Sequence, residues 1–185
     1  MNRIIEIKEG SDPSSYFDFT PVIIEKTSKI TEDDTKYLEE KFVIEEGDIE
    51  CFLFYFLKKY FDEDLLYNRE RYDECGGYIH HFEWYLTNNF YTYETLEKMC
   101  DEILDVALLL ETDYDNPQLE GTKEFFSIFY LCDKEDPDYL NRDTSKEAMK
   151  RHKGAVIDFY RRFVKRLRKM MKNNPNANLI SVMGP

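Results

Sequence analysis

Residues 144–172 read TSKEAMKRHKGAVIDFYRRFVKRLRKMMK, and the way this stretch folds fixes how the rest of the chain is read. Thr144 followed three residues later by Glu147 is a capping-box pattern, in which each side chain satisfies the other's free backbone donor. A helix is predicted over 145–172, stopped by Asn173-Asn-Pro-Asn-Ala-Asn178. At ~100° per residue, with Phe159 at zero, His152, Ala155, Val156, Phe163, Leu167 and Met170 fall within about 80° of it. Lys150, Arg151, Arg161, Arg162, Lys165, Arg168, Lys169 and Lys172 occupy the opposite arc. The pattern is that of a helix burying one stripe and turning a basic back outward. His152 sits inside the stripe, so it is predicted to pack inward near Phe159 and Phe163 and not to ligate a metal. Arg166 lies about 20° from the stripe's centre, where an unpaired guanidinium would be costly, and is predicted to meet a carboxylate.

The charge of this helix contrasts with that of the chain before it. Residues 146–185 carry 11 Lys/Arg against 2 Asp/Glu, whereas residues 1–145 carry 14 against 36. The balances are +9 and −22, and together they give the net −13. A segregation of this size bears on partners and solubility rather than on fold. It has three readings. The cations are a solvated back, clustered near the helix C-terminus where the dipole favours them. They are a recognition face, with Arg161, Arg162, Lys165 and Lys169 as the partner-binding residues. Or they dock onto the acidic body of the same chain, or of a second copy in a homodimer.

Upstream, residues 3–8 and 20–27 are short and β-branched, with the turn cluster Gly10-Ser-Asp-Pro13 between them, and are read as two paired strands. Thr31-Glu-Asp-Asp34 resembles a helix start, with acids in the first turn, and a helix is expected to about Phe42. A second helix is expected from Gly47, capped by Asp48, to Phe61; it is apolar around most of its circumference and belongs in a core. Gly76-Gly77 can turn a hairpin, and the alternation of Tyr78, His80, Phe82, Trp84 and Leu86 favours strands beside it, with a helix through His80–Leu86 as the alternative. Thr92 caps a helix whose stripe holds Leu96, Met99, Cys100, Ile103, Leu104, Ala107 and Leu110 and whose outer face is acidic. Residues 122–132 lean towards helix, 133–141 towards loop, and Leu179–Met183 towards an edge strand in the 173–185 tail. With neither repeat nor linker, residues 1–185 are read as one domain: α+β, helix-dominated, with a small antiparallel sheet and a long amphipathic last helix.

Composition narrows the function classes. Apolar residues make up 42% and aromatics 16%, which argues for a folded core in spite of the net charge. The start shows no apolar run of signal-peptide length, and no apolar stretch is long enough to span a bilayer. The four cysteines (Cys51, Cys75, Cys100 and Cys132) form no C-x-x-C pair and read as reduced core thiols of a cytoplasmic protein.

With seven glycines and no P-loop, G-x-G-x-x-G or G-x-S-x-G, phosphate-cradling and nucleophile-elbow chemistry has no local support. His80-His81-Phe82-Glu83 is where metal-competent residues crowd, and on a strand His81 and Glu83 share a face, but a third ligand must come from elsewhere. Asp113 to Glu124 imitates a calcium loop and fails at its fifth and sixth places, which are Pro117 and Gln118.

No cofactor is implied. The expectation is a cytoplasmic acidic protein-interaction module, an inhibitor, antitoxin-like or immunity-like neutraliser or adaptor, that binds a charged protein. Nucleic acid is disfavoured by the −22 body. The alternative is a metal-dependent hydrolase centred on His80, His81 and Glu83.

Overall fold

A computed structural model of the protein describes residues 4–10, 16–72, 77–79, 81–83, 85, 87–127, 130–132 and 146–185. Short strands β1 (Ile7–Glu9) and β2 (Tyr16–Ile24) are followed by one 3-10 turn, Glu32–Asp34, and by β3 (Thr35–Tyr37) and β4 (Phe42–Glu45). Helices α1 (Glu46–Phe52), α2 (Phe54–Phe61) and α3 (Leu65–Asn68) come next. Then come β5 (Arg71–Tyr72), β6 (Tyr78–Ile79), β7 (Asn88–Thr92), α4 (Tyr93–Thr112), α5 (Glu120–Lys123), α6 (Lys146–Asn173) and β8 (Leu179–Met183). The fold is a helix-dominated α+β arrangement around a small, open antiparallel sheet of order β1-β4-β2-β8-β7, with β3 joined to β2.

Residues of alternate parity along the strands face two apolar clusters. Phe17, Phe19, Phe42, Ile44, Tyr91, Ile180 and Val182 face the main core with the helices. Val22, Ile24, Phe90 and Leu179 face a smaller cluster with Ile30 on the other side. On the helical side Phe163 of α6 sets its ring edge-on to Phe19 and Phe42, which are stacked 4.7 Å apart. The buried hydroxyls of Tyr91 and Tyr160 donate to the carbonyls of Leu57 and Phe52, tying sheet and α6 to α1 and α2.

Pro21 lies inside β2, where its missing N–H could have broken a ladder. Pairing of β2 with β4 ends at Phe19 and pairing with β3 begins at Val22, so Pro21 falls in the gap, and its carbonyl accepts from Leu38 N. Two amides, one buried (Asn68) and one on an exposed residue (Asn178), extend the sheet by imitating a neighbouring strand. Asn68 accepts from Phe90 N and donates to Phe90 O along the outer edge of β7, and Asn178 does the same for Ile24. Asp64 accepts from Thr92 N on the same edge of β7.

Several sequence expectations are corrected. The first two strands share a sheet but do not pair, because β4 lies between them. The helix expected over 31–42 is a single turn: Asp34 accepts from the Thr31 N–H and hydroxyl and from Lys26, and the following β-branched and aromatic residues pair with β2 instead. The long helix from Gly47 starts at Glu46, with Asp48 fully buried inside it rather than capping it, and breaks at Leu53.

Gly47 lies against the Tyr130 ring, which a Cβ there would approach to 2.2 Å. Past Lys123 the chain leaves the helix, so that Phe125 packs on Phe54 and Phe126 on Phe52. Strands β5 and β6 pair around the glycines as expected, but β6 ends at Ile79. Residues 81–83 and 85 are not strand, so the alternation to Leu86 does not mark a longer strand. Residues 73–76, 80, 84 and 86 lie outside the described residues. The capping box at Thr144 and the loop 133–141 lie outside them too. Leu179–Met183 is no edge strand; it sits between β2 and β7.

Because β8 is internal, its apolar residues carry more than a tail's share of stability. Ile180 is fully buried between Pro21 and Tyr91. Ile180→Ala is expected to cost about 2–5 kcal/mol, read as a fall in the urea midpoint at unchanged m-value.

Candidate functional site

The last helix was the sequence's strongest candidate, and its surroundings show what its cations do. α6 runs antiparallel to α4, as the order of contacts along the seam shows. Arg168 pairs with Glu97 and Asp101 at 2.8 and 2.7 Å, Arg161 with Glu111 at 2.7 Å, and Lys150 with Asp115 at 3.1 Å. The last turn of α4 has no basic residue of its own, and Lys153 of α6 donates to the Leu110 and Glu111 carbonyls there. A cation at that negative helix end replaces the missing cap. Asp113 and Asp115, which imitate calcium ligands in the sequence, hold Asn116 and Lys150 respectively.

On the other flank, Arg166 makes a two-pronged pair with Glu9 at 2.8 and 2.6 Å and a third bond to Glu40 at 2.8 Å. Its guanidinium lies over the Phe42 ring, 4.8 Å from the centroid, and its side chain is 11% exposed. This is the ion pair that its place on the helical wheel demanded. Burial works against the Arg166 charge, but hydrogen bonds and the field of Glu9 and Glu40 overcome it and raise its pKa. Hydrogen bonding from Arg166 in turn holds the Glu9 carboxyl below its ordinary range, with Lys169 adding to the effect. Arg162 pairs with Asp158 and donates to the Ile5 carbonyl beside the edge strand.

The four residues predicted to bind a partner are therefore not equivalent. Arg161 and Arg162 are engaged within the chain, whereas Lys165 and Lys169 are exposed and make no ion pair among the described residues. The buried stripe is also wider than the sequence implied: Ile157, Tyr160, Val164 and Met171 are buried as well, because α6 packs on both α4 and the sheet. His152 is 3% exposed and lies inward, with its Nε2 3.5 Å from Cys132 Sγ.

A second charged surface was not visible in the sequence. The Tyr85 hydroxyl lies 2.7 Å from a Glu46 carboxylate oxygen and 2.8 Å from one of Glu50, and Glu83 accepts from Tyr85 N. Hydrogen bonds to Glu46 and Glu50 raise the Tyr85 pKa, so the phenol stays protonated between these two carboxylates, with Glu83 at its backbone N–H. Residues 35 and more apart meet here, and no local spacing announces it.

His81 lies 3.5 Å from Glu83 and is exposed. His80 is outside the described residues, and among those described no group of three or more His, Cys, Asp or Glu could hold a metal ion. Cys51, Cys100 and Cys132 are buried thiols that form no disulfide among the described residues. No helix of the described residues is long and apolar enough to cross a membrane. The chain matches no protein-family model, no curated protein and no solved structure.

The two classes of α6 cation separate by mutation. Arg166→Met, which keeps cover over Phe42, is expected to lose about 1.5–3 kcal/mol of stability, the range for hydrogen bonds to charged groups. Lys165→Gln with Lys169→Gln is expected to stay within about 0.5 kcal/mol per site. Glu9 has a depressed carboxyl pKa in the folded state, so its part of the pairing is present above the ordinary value of 4.5 and is lost as the pH falls through the lowered one. Urea melts across that range should show the gap between wild type and Arg166→Met narrowing on acidification.

Proposed function

We propose that the protein is an acidic interaction module that binds a basic protein partner, in a neutralising or adaptor role. One observation carries the reading. Arg161, Arg166 and Arg168 of α6 are turned against acids of α4, β1 and the segment before β4, so they brace the chain's own body, while the net charge stays at −13. What is offered outward is predominantly negative, and the carboxylates of Glu46, Glu50 and Glu83 around Tyr85 supply a patch with a hydrogen-bonding aromatic at its centre. A negative surface steers a cationic partner and speeds encounter, and an aromatic amid charge is a suitable anchor. The same field repels nucleic acid.

Lys165 and Lys169 offer a smaller basic ridge, and the two surfaces are distinguished in one experiment. The wild-type protein, the triple variant Glu46→Gln/Glu50→Gln/Glu83→Gln and the double variant Lys165→Gln/Lys169→Gln are each immobilised and exposed to extract from the native cell. The expected result is a cationic protein held by wild type and the lysine variant. It should be lost from the triple variant and at 1 M salt, where the screening length is about 3 Å. Capture that survives the triple variant but fails with the lysine variant transfers the site to α6. Capture indifferent to salt and to both variants overturns an electrostatic module.

A further inference from the structure

Cys132 and Cys51 have the same exposure, 8%, and different described neighbours. Cys51 is pushed up to about 12 by burial and by the carboxylates of Asp48 and Glu50. Cys100, fully buried, is also raised to about 12. Cys132 instead places its sulfur 3.5 Å from Nε2 of His152, which is itself 3% exposed on the inner face of α6. A thiol is nucleophilic as its thiolate, and an imidazole within hydrogen-bonding distance can take the thiol proton and stay as the counter-charge. A carboxylate neighbour does the reverse.

We infer that Cys132 and His152 form a thiol–imidazole pair that makes Cys132 a site of modification by small electrophiles and hydroperoxides. Nothing in the interaction reading uses either residue, and the two inferences stand apart. With hydrogen peroxide as co-reactant the step balances as follows. His152 Nε2 takes the Cys132 proton, and the thiolate sulfur attacks one peroxide oxygen. The S–O bond forms as the O–O bond breaks, and the leaving hydroxide takes the proton back from the imidazolium. One sulfenic acid and one water result; sulfur loses two electrons and the peroxide gains them.

The test uses the native full chain and the internal comparison the fold provides. Iodoacetamide labelling is followed site by site by peptide mass spectrometry under native conditions. Cys132 is expected to react about tenfold faster than Cys51, or more, since the two have equal exposure while Cys51 adjoins carboxylates and Cys132 an imidazole. Brief treatment with hydrogen peroxide followed by dimedone should mark Cys132 and leave Cys51 unmarked. In His152→Gln the Cys132 rate should fall to that of Cys51, with the Cys51 rate unchanged. If that variant opens the fold, both thiols speed up together, and the wild-type ratio then decides alone. Equal rates at the two thiols in native wild type, or labelling of Cys132 only in denaturant, overturns the pair.

Discussion

Leu179–Met183 lies between β2 and β7, hydrogen-bonded to a neighbour on each side, and the larger elements take their positions from that insertion. α6 ends a few residues before the strand begins, so its C-terminal turn is held at one end of the sheet. There Asn174 donates to Glu40 and its carbonyl accepts from Tyr93 at the start of α4. Both long helices are thus tied to the same corner, one leaving it and one arriving, which makes them antiparallel neighbours. The apolar stripe of α6 then has two surfaces to cover, the sheet and α4, which accounts for a buried face wider than a simple amphipathic helix needs.

Charge follows from the same placement. A helix with acids outward and a helix with cations outward, laid antiparallel, present opposite signs along their shared seam, and Arg168, Arg161 and Lys150 meet their carboxylates in order along it. Pairs this exposed each contribute little to stability. Their larger effect is on the field: they offset part of the positive charge of α6 from within the molecule. Part of the charge asymmetry of the sequence is therefore met by pairing within the fold.

What could be read from the sequence was what depends on local periodicity. α4 and α6 were legible because their apolar residues recur at helical spacing, and Thr92 caps α4 by accepting from Thr95 N as its position implied. Arg166 was legible because a cation near a buried stripe must find an acid. The segment 31–45 was not, since its acidic first turn favours helix locally while Phe42, Val43 and Ile44 find partners in β1 and β2. The depth of β8 was hidden for a related reason: an apolar five-residue run reads the same at an edge or in a sheet's middle. Tyr85 with Glu46 and Glu50, and Cys132 with His152, join positions that only tertiary folding brings together, and neither cluster leaves a spacing to find.

The position of β8 also orders the folding reaction. Ile24 and Asn178, which share two hydrogen bonds, stand 154 residues apart. Until the segment 179–183 arrives, β2 and β7 have no reason to be near each other, and each presents an unpaired edge. The helices can gain local structure early, because their contacts are short in sequence. The sheet must wait for a closure whose entropy grows with loop length, by about 0.6 kcal/mol per doubling. A chain of this topology should fold slowly for its size. During the wait it carries strands with open edges, the state in which intermolecular pairing competes. The strong negative balance of residues 1–145 keeps such intermediates apart while the sheet is incomplete.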